Sequence, residues 1–200
     1  MKTSIKMLLT ILVISMLGVR LHAQTKATVT GIYLTEQDFK AGKLSYVLNE
    51  GDKLQLNGFL NGKHVSLIYQ GKKIKLSKNE IFGYRQHNQD FRFYQTGVYR
   101  ILDTAGFTLY SHPELIQQGK GYAAVQHYFY SMDSAKPILN LTIQNICNSF
   151  MAQSDFRYNV ENYFHQDADL ITFDKADNEY EVKYLYFEHK HISMAQHASL

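Results

Sequence analysis

Hydrophobic and polar positions alternate most regularly between Asp90 and Ser131. Phe91 and Phe93 fall on one side of an extended segment, and Arg92 and Tyr94 on the other, because successive strand side chains point to opposite faces. Tyr99 and Ile101 continue the alternation, Asp103-Thr104-Ala105-Gly106 reads as a tight turn, and Phe107, Leu109 and Ser111 return. Residues 98–112 are therefore predicted to form a β-hairpin. Tyr122–Ser131 predicts a further strand, with Val125, His127 and Phe129 on one face and Ala124, Gln126, Tyr128 and Tyr130 on the other. His112-Pro113 is expected to end the strand before it, since proline has no ladder donor, leaving Pro113–Lys120 as a loop or helical turn.

Upstream, Lys26–Tyr33 predicts a first strand, and Thr35-Glu36-Gln37-Asp38 the capped start of a short helix ending at Gly42. Leu44–Leu48 reads as a strand. Lys53–Leu60 and Lys63–Tyr69 flank Asn61-Gly62, a pair suited to the positive φ angles of a type I′ hairpin turn. Gly71 supports a turn into Lys72–Leu76, and Ile81–Arg85 with Asp90–Tyr94 predicts a hairpin around Gln86–Gln89. The basic cluster Lys72, Lys73, Lys75 and Lys78 reads as the protected face of an edge strand.

The period changes after Lys136-Pro137. Leu139, Ile143, Ile146, Cys147, Phe150 and Met151 form one helical stripe, which makes Cys147 a buried small residue. A second helix is expected from Ser154 or Asp155, with Phe156, Val160 and Phe164 inward. Tyr180, Tyr184 and Phe187 fit a helix from near Asp174, although Tyr180, Val182, Tyr184 and Tyr186 also fit a strand; the helix is favoured. Strands first and helices last predict one α+β domain. It comprises an antiparallel β meander over 24–134, as a sheet or partly closed barrel, about three helices over 135–190, and a flexible tail at 191–200.

Residues 1–23 stand apart. Lys2 and Lys6 precede the apolar run Met7–Val19, and Leu21-His22-Ala23 precedes Gln24. A basic start, a short apolar stretch and a small residue at the cut describe a secretory signal, expected to be cleaved after Ala23. The run is short of the roughly 20 residues of a membrane span. The 21 basic and 18 acidic residues give the chain a formal charge of +3, and the leader holds Lys2, Lys6 and Arg20 with no acid. The mature chain is thus balanced and lacks the broad positive field that nucleic-acid binding needs. The acidic excess beyond residue 134 reads first as a solvated surface and second as a face that docks on a basic sheet.

Chemistry is sparse. No G-x-S-x-G elbow or H-E-x-x-H motif occurs, and a single cysteine rules out thiolate zinc sites and an internal disulfide. His189, His191 and His197 read as a solvated tail. Asp167, Asp169, Asp174 and Asp177 lack the glycine of a calcium loop and read as helix caps. No cofactor or metal is implied. Asp103, His112, Glu114 and His127 are the acid–base candidates, since hairpin geometry can bring strand ends together. The 15 tyrosines invite a sugar-stacking reading, with sheet-face packing as the default in the absence of tryptophan.

Gly31-Ile32-Tyr33-Leu34-Thr35 with Asp38-Phe39, Phe82-Gly83-Tyr84, and Phe91-Arg92-Phe93-Tyr94 resemble secreted Bacteroidota proteins of unknown function. Leu141-Thr142 through Phe150, followed by Phe156 and Phe164, is similar as well. The resemblance implies export, to the periplasm or the cell surface, and carries over no catalytic residue. It also suggests O-glycans on D-[ST]-small triplets, which Asp103-Thr104-Ala105 and Asp133-Ser134-Ala135 match, making Thr104 and Ser134 candidate modification sites. The expected function is a non-enzymatic binding or interaction module of the cell envelope, contacting an envelope protein or a small ligand. The alternative is a hydrolase built on Asp103, His112, Glu114 and His127.

Overall fold

The structure, a computed structural model, describes residues 28–56 and 62–188. The leader, the Asn61 turn position and the histidine tail lie outside the described residues. An open eight-stranded antiparallel sheet forms the body. Strands β1 (Thr30–Tyr33) and β2 (Tyr46–Leu48) flank the short helix α1 (Glu36–Lys40). Strands β3 (Lys53–Gln55), β4 (His64–Tyr69) and β5 (Lys72–Ser77) form a separate small sheet. The chain then meanders through β6 (Gly83–Gln86), β7 (Gln89–Tyr94), β8 (Gly97–Asp103), β9 (Thr108–Gln118), β10 (Gly121–Ser131) and β11 (Leu139–Asn140). The order across the large sheet is β11-β10-β9-β8-β7-β6-β1-β2, so the sheet is not closed and forms the expected partly open meander.

Local chemistry accounts for the turns. Thr35 accepts from the Asp38 amide at 3.1 Å and Asp38 accepts from the Thr35 amide at 3.1 Å, a reciprocal cap for α1. His87 and Asn88 both take positive φ, at 51° and 59°, which a two-residue hairpin between β6 and β7 requires. Gln70 and Gly71 do the same between β4 and β5, with φ of 50° and 76°.

Cross-strand partners share a face of the sheet, so register assigns the layers. Ile32 pairs with Tyr84 and Tyr84 with Phe91, placing these residues on one face with Phe93. The small sheet covers this end, with Val65 and Leu67 fully buried among Ile32, Tyr84 and Phe93. Phe107, Leu109 and Tyr130 lie on the same face at the far end, under the helices. These are α2 (Ile143–Ser149), α3 (Ser154–Tyr163) and a helix at 181–188, labelled α4, with a 3-10 segment at Asp167–Ile171. Phe156, Val160 and Phe164 face inward as their spacing predicts.

Four expectations are corrected. Pro113 does not end β9, which runs to Gln118 and pairs residue by residue with β10, Pro113 opposite Gln126. The β8 pairing stops at Ser111, so beyond it β9 has a ladder on one side only, where a missing donor costs little. The stripe expected from Leu139 to Met151 is shorter, because α2 starts at Ile143 behind its Thr142 cap; Leu139 joins β11, and Leu139 and Met151 are exposed. The helix expected from Asp174 is split: β12 (Phe173–Asp174) and β13 (Glu179–Tyr180) form a small hairpin, and α4 begins only at 181. Asn178, at φ 55°, supplies the turn that breaks the helical pattern. Finally, Lys78 is buried, unlike the exposed Lys72, Lys73 and Lys75 of edge strand β5.

Candidate functional site

The sheet face opposite the helices is only partly covered. Phe39 of α1 stacks on Phe82 at 4.7 Å and meets Tyr33 edge-on at 5.5 Å. Lys40 reaches Asp133 at 3.1 Å, tying α1 to the loop after β10. Beyond this roof lies a group of half-buried rings centred on Tyr99: Tyr94 at 6.3 Å, His112 and Phe129 each at 5.1 Å, and buried Tyr110 at 6.4 Å. Register produces the group, since Arg92 pairs with Tyr99 and Tyr110 with Phe129 on this face. Gly97 makes room for it, because a Cβ there would sit 2.6 Å from the Tyr99 ring. Burial, and next the neighbouring Tyr94, hold the Tyr99 phenol above its ordinary range.

Arg92 lies beneath this face. Its Nη1 donates to the Tyr110 hydroxyl at 3.0 Å, which in turn donates to Ser131 Oγ at 2.9 Å, and Ser131 donates to the Asp133 carbonyl at 2.7 Å. The guanidinium also lies over the rings of Tyr94, Tyr110 and Phe82 at 5.3–5.9 Å.

Past Ser111 and its partner Tyr128, β9 and β10 continue as a two-stranded ribbon beside the sheet body. Leu115 and Tyr122 are exposed on it, the latter by 73 %. At the ribbon's base, His112 pairs with His127 across the strands, and His127 Nε2 lies 3.5 Å from Glu114 Oε2. His112 Nδ1 lies 2.8 Å from the Val98 carbonyl, which can only accept, so the ring proton sits on Nδ1 and Nε2 is free to accept in the neutral ring.

Three of the four acid–base candidates thus gather at the ribbon base, and Asp103 does not join them. It pairs with Leu109 on the opposite face, accepts from the Ala105 amide at 2.7 Å, and lies 3.3 Å from the Lys183 ammonium. The His127 and Glu114 side chains are 43 % and 64 % exposed, although His127 Nε2 itself is shielded from solvent.

The other chemical candidates have structural roles. Cys147 is buried, and burial first, then Glu161, pushes its thiol up, away from the nucleophilic thiolate. Asp167 accepts from the Ile143 amide, Asp169 from those of His165 and Gln166, and Asp174 from that of Ala176. Among the described residues no three His, Cys, Asp or Glu side chains gather as a metal site. Thr104 is exposed in its turn, and Ser134 is buried.

Sequence reasoning missed the burial of Lys78, Arg92 and Lys183. Alternation put Arg92 on the face away from Phe93, but not which face would be roofed. Among the described residues no helix is long and apolar enough to cross a membrane. No protein-family model matches the chain, and neither a curated protein nor a solved structure does.

Proposed function

We propose that this chain is an exported, non-enzymatic interaction module of the cell envelope, and that the ribbon and the rings at its base are its contact surface. The observation that carries the reading is the continuation of β9 and β10 past the sheet body with Leu115 and Tyr122 exposed. A ribbon that projects apolar side chains, with ladder positions beyond β8 left without a strand partner, suits strand addition by a partner segment. The half-buried rings of Tyr94, Tyr99 and Phe129 lie on the opposite face from Leu115 and Tyr122 and add a second contact area at small entropy cost, since aromatic side chains have few rotatable bonds. Export is supported by the leader pattern of residues 1–23 and by the resemblance to secreted proteins. The hydrolase reading is the weaker one, because its four residues are split between two faces of the sheet.

Photo-crosslinking in the native host tests the proposal. A photoreactive residue at Tyr122 is expected to yield a discrete higher-mass adduct, whereas the same residue at Tyr158, 67 % exposed on α3, yields none. Identical patterns from the two positions, or no adduct from Tyr122, would contradict it.

A further inference from the structure

An open cleft of about 340 Å³ lies at the margin of the roofed face, and its lining includes Glu36, Lys78, Phe82, Arg92, Tyr94 and Ser134. Two cations reach it from within the fold: Lys78 is 3 % exposed and Arg92 5 %. Among the described residues neither has a carboxylate within ion-pairing distance. Arg92 has one protein acceptor there, the Tyr110 hydroxyl, leaving most of its five donors unused. The Lys78 ammonium has an aromatic neighbour, Phe93, 5.7 Å from its Nζ. Burying a charge is costly unless it is paired, and buried basic side chains ordinarily sit against an acid.

The acids lining the cleft do not supply that pairing. Glu36 is engaged by Lys40 at 2.7 Å, and Glu80 is exposed to solvent. The rings of Phe82, Tyr94 and Tyr110 hold the Arg92 plane in place, which preserves a fork suited to two oxygens of one anion.

We propose that this cleft is a binding site for the oxyanion head of a small acidic ligand, with Arg92 and Lys78 as its two positive contacts and Tyr94 and Phe82 against its flat or apolar body. The shared chemistry is a carboxylate, sulfate ester or phosphate ester beside a ring. Desolvation draws the Lys78 ammonium below its usual range, and an anion held in the cleft would push it back up. The site is distinct from the ribbon contact, and it stands or falls on its own measurement.

Benzoate, phenyl sulfate and phenyl phosphate, with neutral benzyl alcohol as control, are titrated into the full-length protein while the Lys78 ammonium and Arg92 guanidinium resonances are followed by NMR. At least one anion is expected to move both resonances saturably at millimolar concentration while the alcohol does not, and the strongest head group identifies the source. Lys78→Met and Arg92→Gln should each weaken that binding by about tenfold or more, the loss of one charged hydrogen-bonding partner. Lys78→Met keeps the stem that packs in the fold, so it serves if Arg92→Gln fails to fold, and the wild-type titration needs neither. Resonances unmoved by all three anions, an equal response to the alcohol, or unchanged affinity in Lys78→Met would overturn the proposal.

Discussion

Lys183 shows how one residue ties the helical layer to the sheet. It is fully buried on α4, and its ammonium donates to the Ala105 carbonyl at 2.6 Å and to that of Phe107, with Asp103 at 3.3 Å. The side chain thereby closes the β8–β9 turn from below. The sequence suggested acids of the C-terminal part on a basic sheet; this ion pair runs the other way, with the lysine on the helix and the acid on the sheet. Burial is the main influence on the amine, opposed by Asp103, and it brings the pKa down to about 8. An unfolded lysine titrates near 10.4. Between these values the unfolded chain holds a proton that the folded chain has released, so this group adds stability as pH rises from about 8 towards 10.4 and loses that contribution as pH falls through 8. Urea unfolding of the wild type and Lys183→Met at several pH values across this window should show their difference moving in favour of the wild type as pH rises. A difference independent of pH would contradict the assignment. Nothing in the sequence marks Lys183, because Lys183 and exposed Tyr184 are neighbours in a stretch that fits both helix and strand.

Elements were legible where the local pattern and the tertiary environment agree. The 98–112 hairpin, the α1 cap and the inward face of α3 all follow from spacing alone. Pro113 shows the limit, since a strand that loses its neighbour on one side tolerates proline, and only tertiary structure shows where β8 pairing ends. The 176–189 segment was ambiguous because it contains both patterns in succession, a strand to Tyr180 and a helix from 181. The turn between β8 and β9 was read correctly from Asp103-Thr104-Ala105-Gly106, but its packing was not. Gly106 has φ of 70°, and a Cβ there would lie 2.5 Å from the Tyr186 ring. That ring cannot yield freely, because it meets Phe107, Phe150 and Phe156 at 5.4–5.5 Å. Gly106→Ala should therefore destabilise the fold by about 1–3 kcal/mol, combining the left-handed backbone with overpacking. Thermal unfolding within error of the wild type would show that the turn and Tyr186 are not packed as described.

Considered whole, the molecule is asymmetric. One sheet face is sealed at both ends, by the small sheet over Ile32 and Tyr84 and by the helices over Leu109 and Tyr130. The other is roofed near Tyr33 and carries half-buried rings from Tyr94 to Phe129, with His112, Glu114 and His127 following at the ribbon base, while the exposed Leu115 and Tyr122 of the ribbon lie on the helix-side face. The α+β order of this arrangement could be read from the chain, because each layer has its own periodicity. The candidate site could be read only in part: His112, Glu114 and His127 come together through strand register, whereas Asp103 faces the helices and the buried cations Arg92 and Lys78 gave no sign of their burial. Tyrosine footprinting tests the ribbon most directly, since Tyr122 on it and Tyr158 on α3 are exposed to similar extents, 73 % and 67 %. Both should be modified equally in the isolated protein. In intact host cells Tyr122 should become protected while Tyr158 does not, and equal modification of the two in both settings would contradict a contact surface on the ribbon.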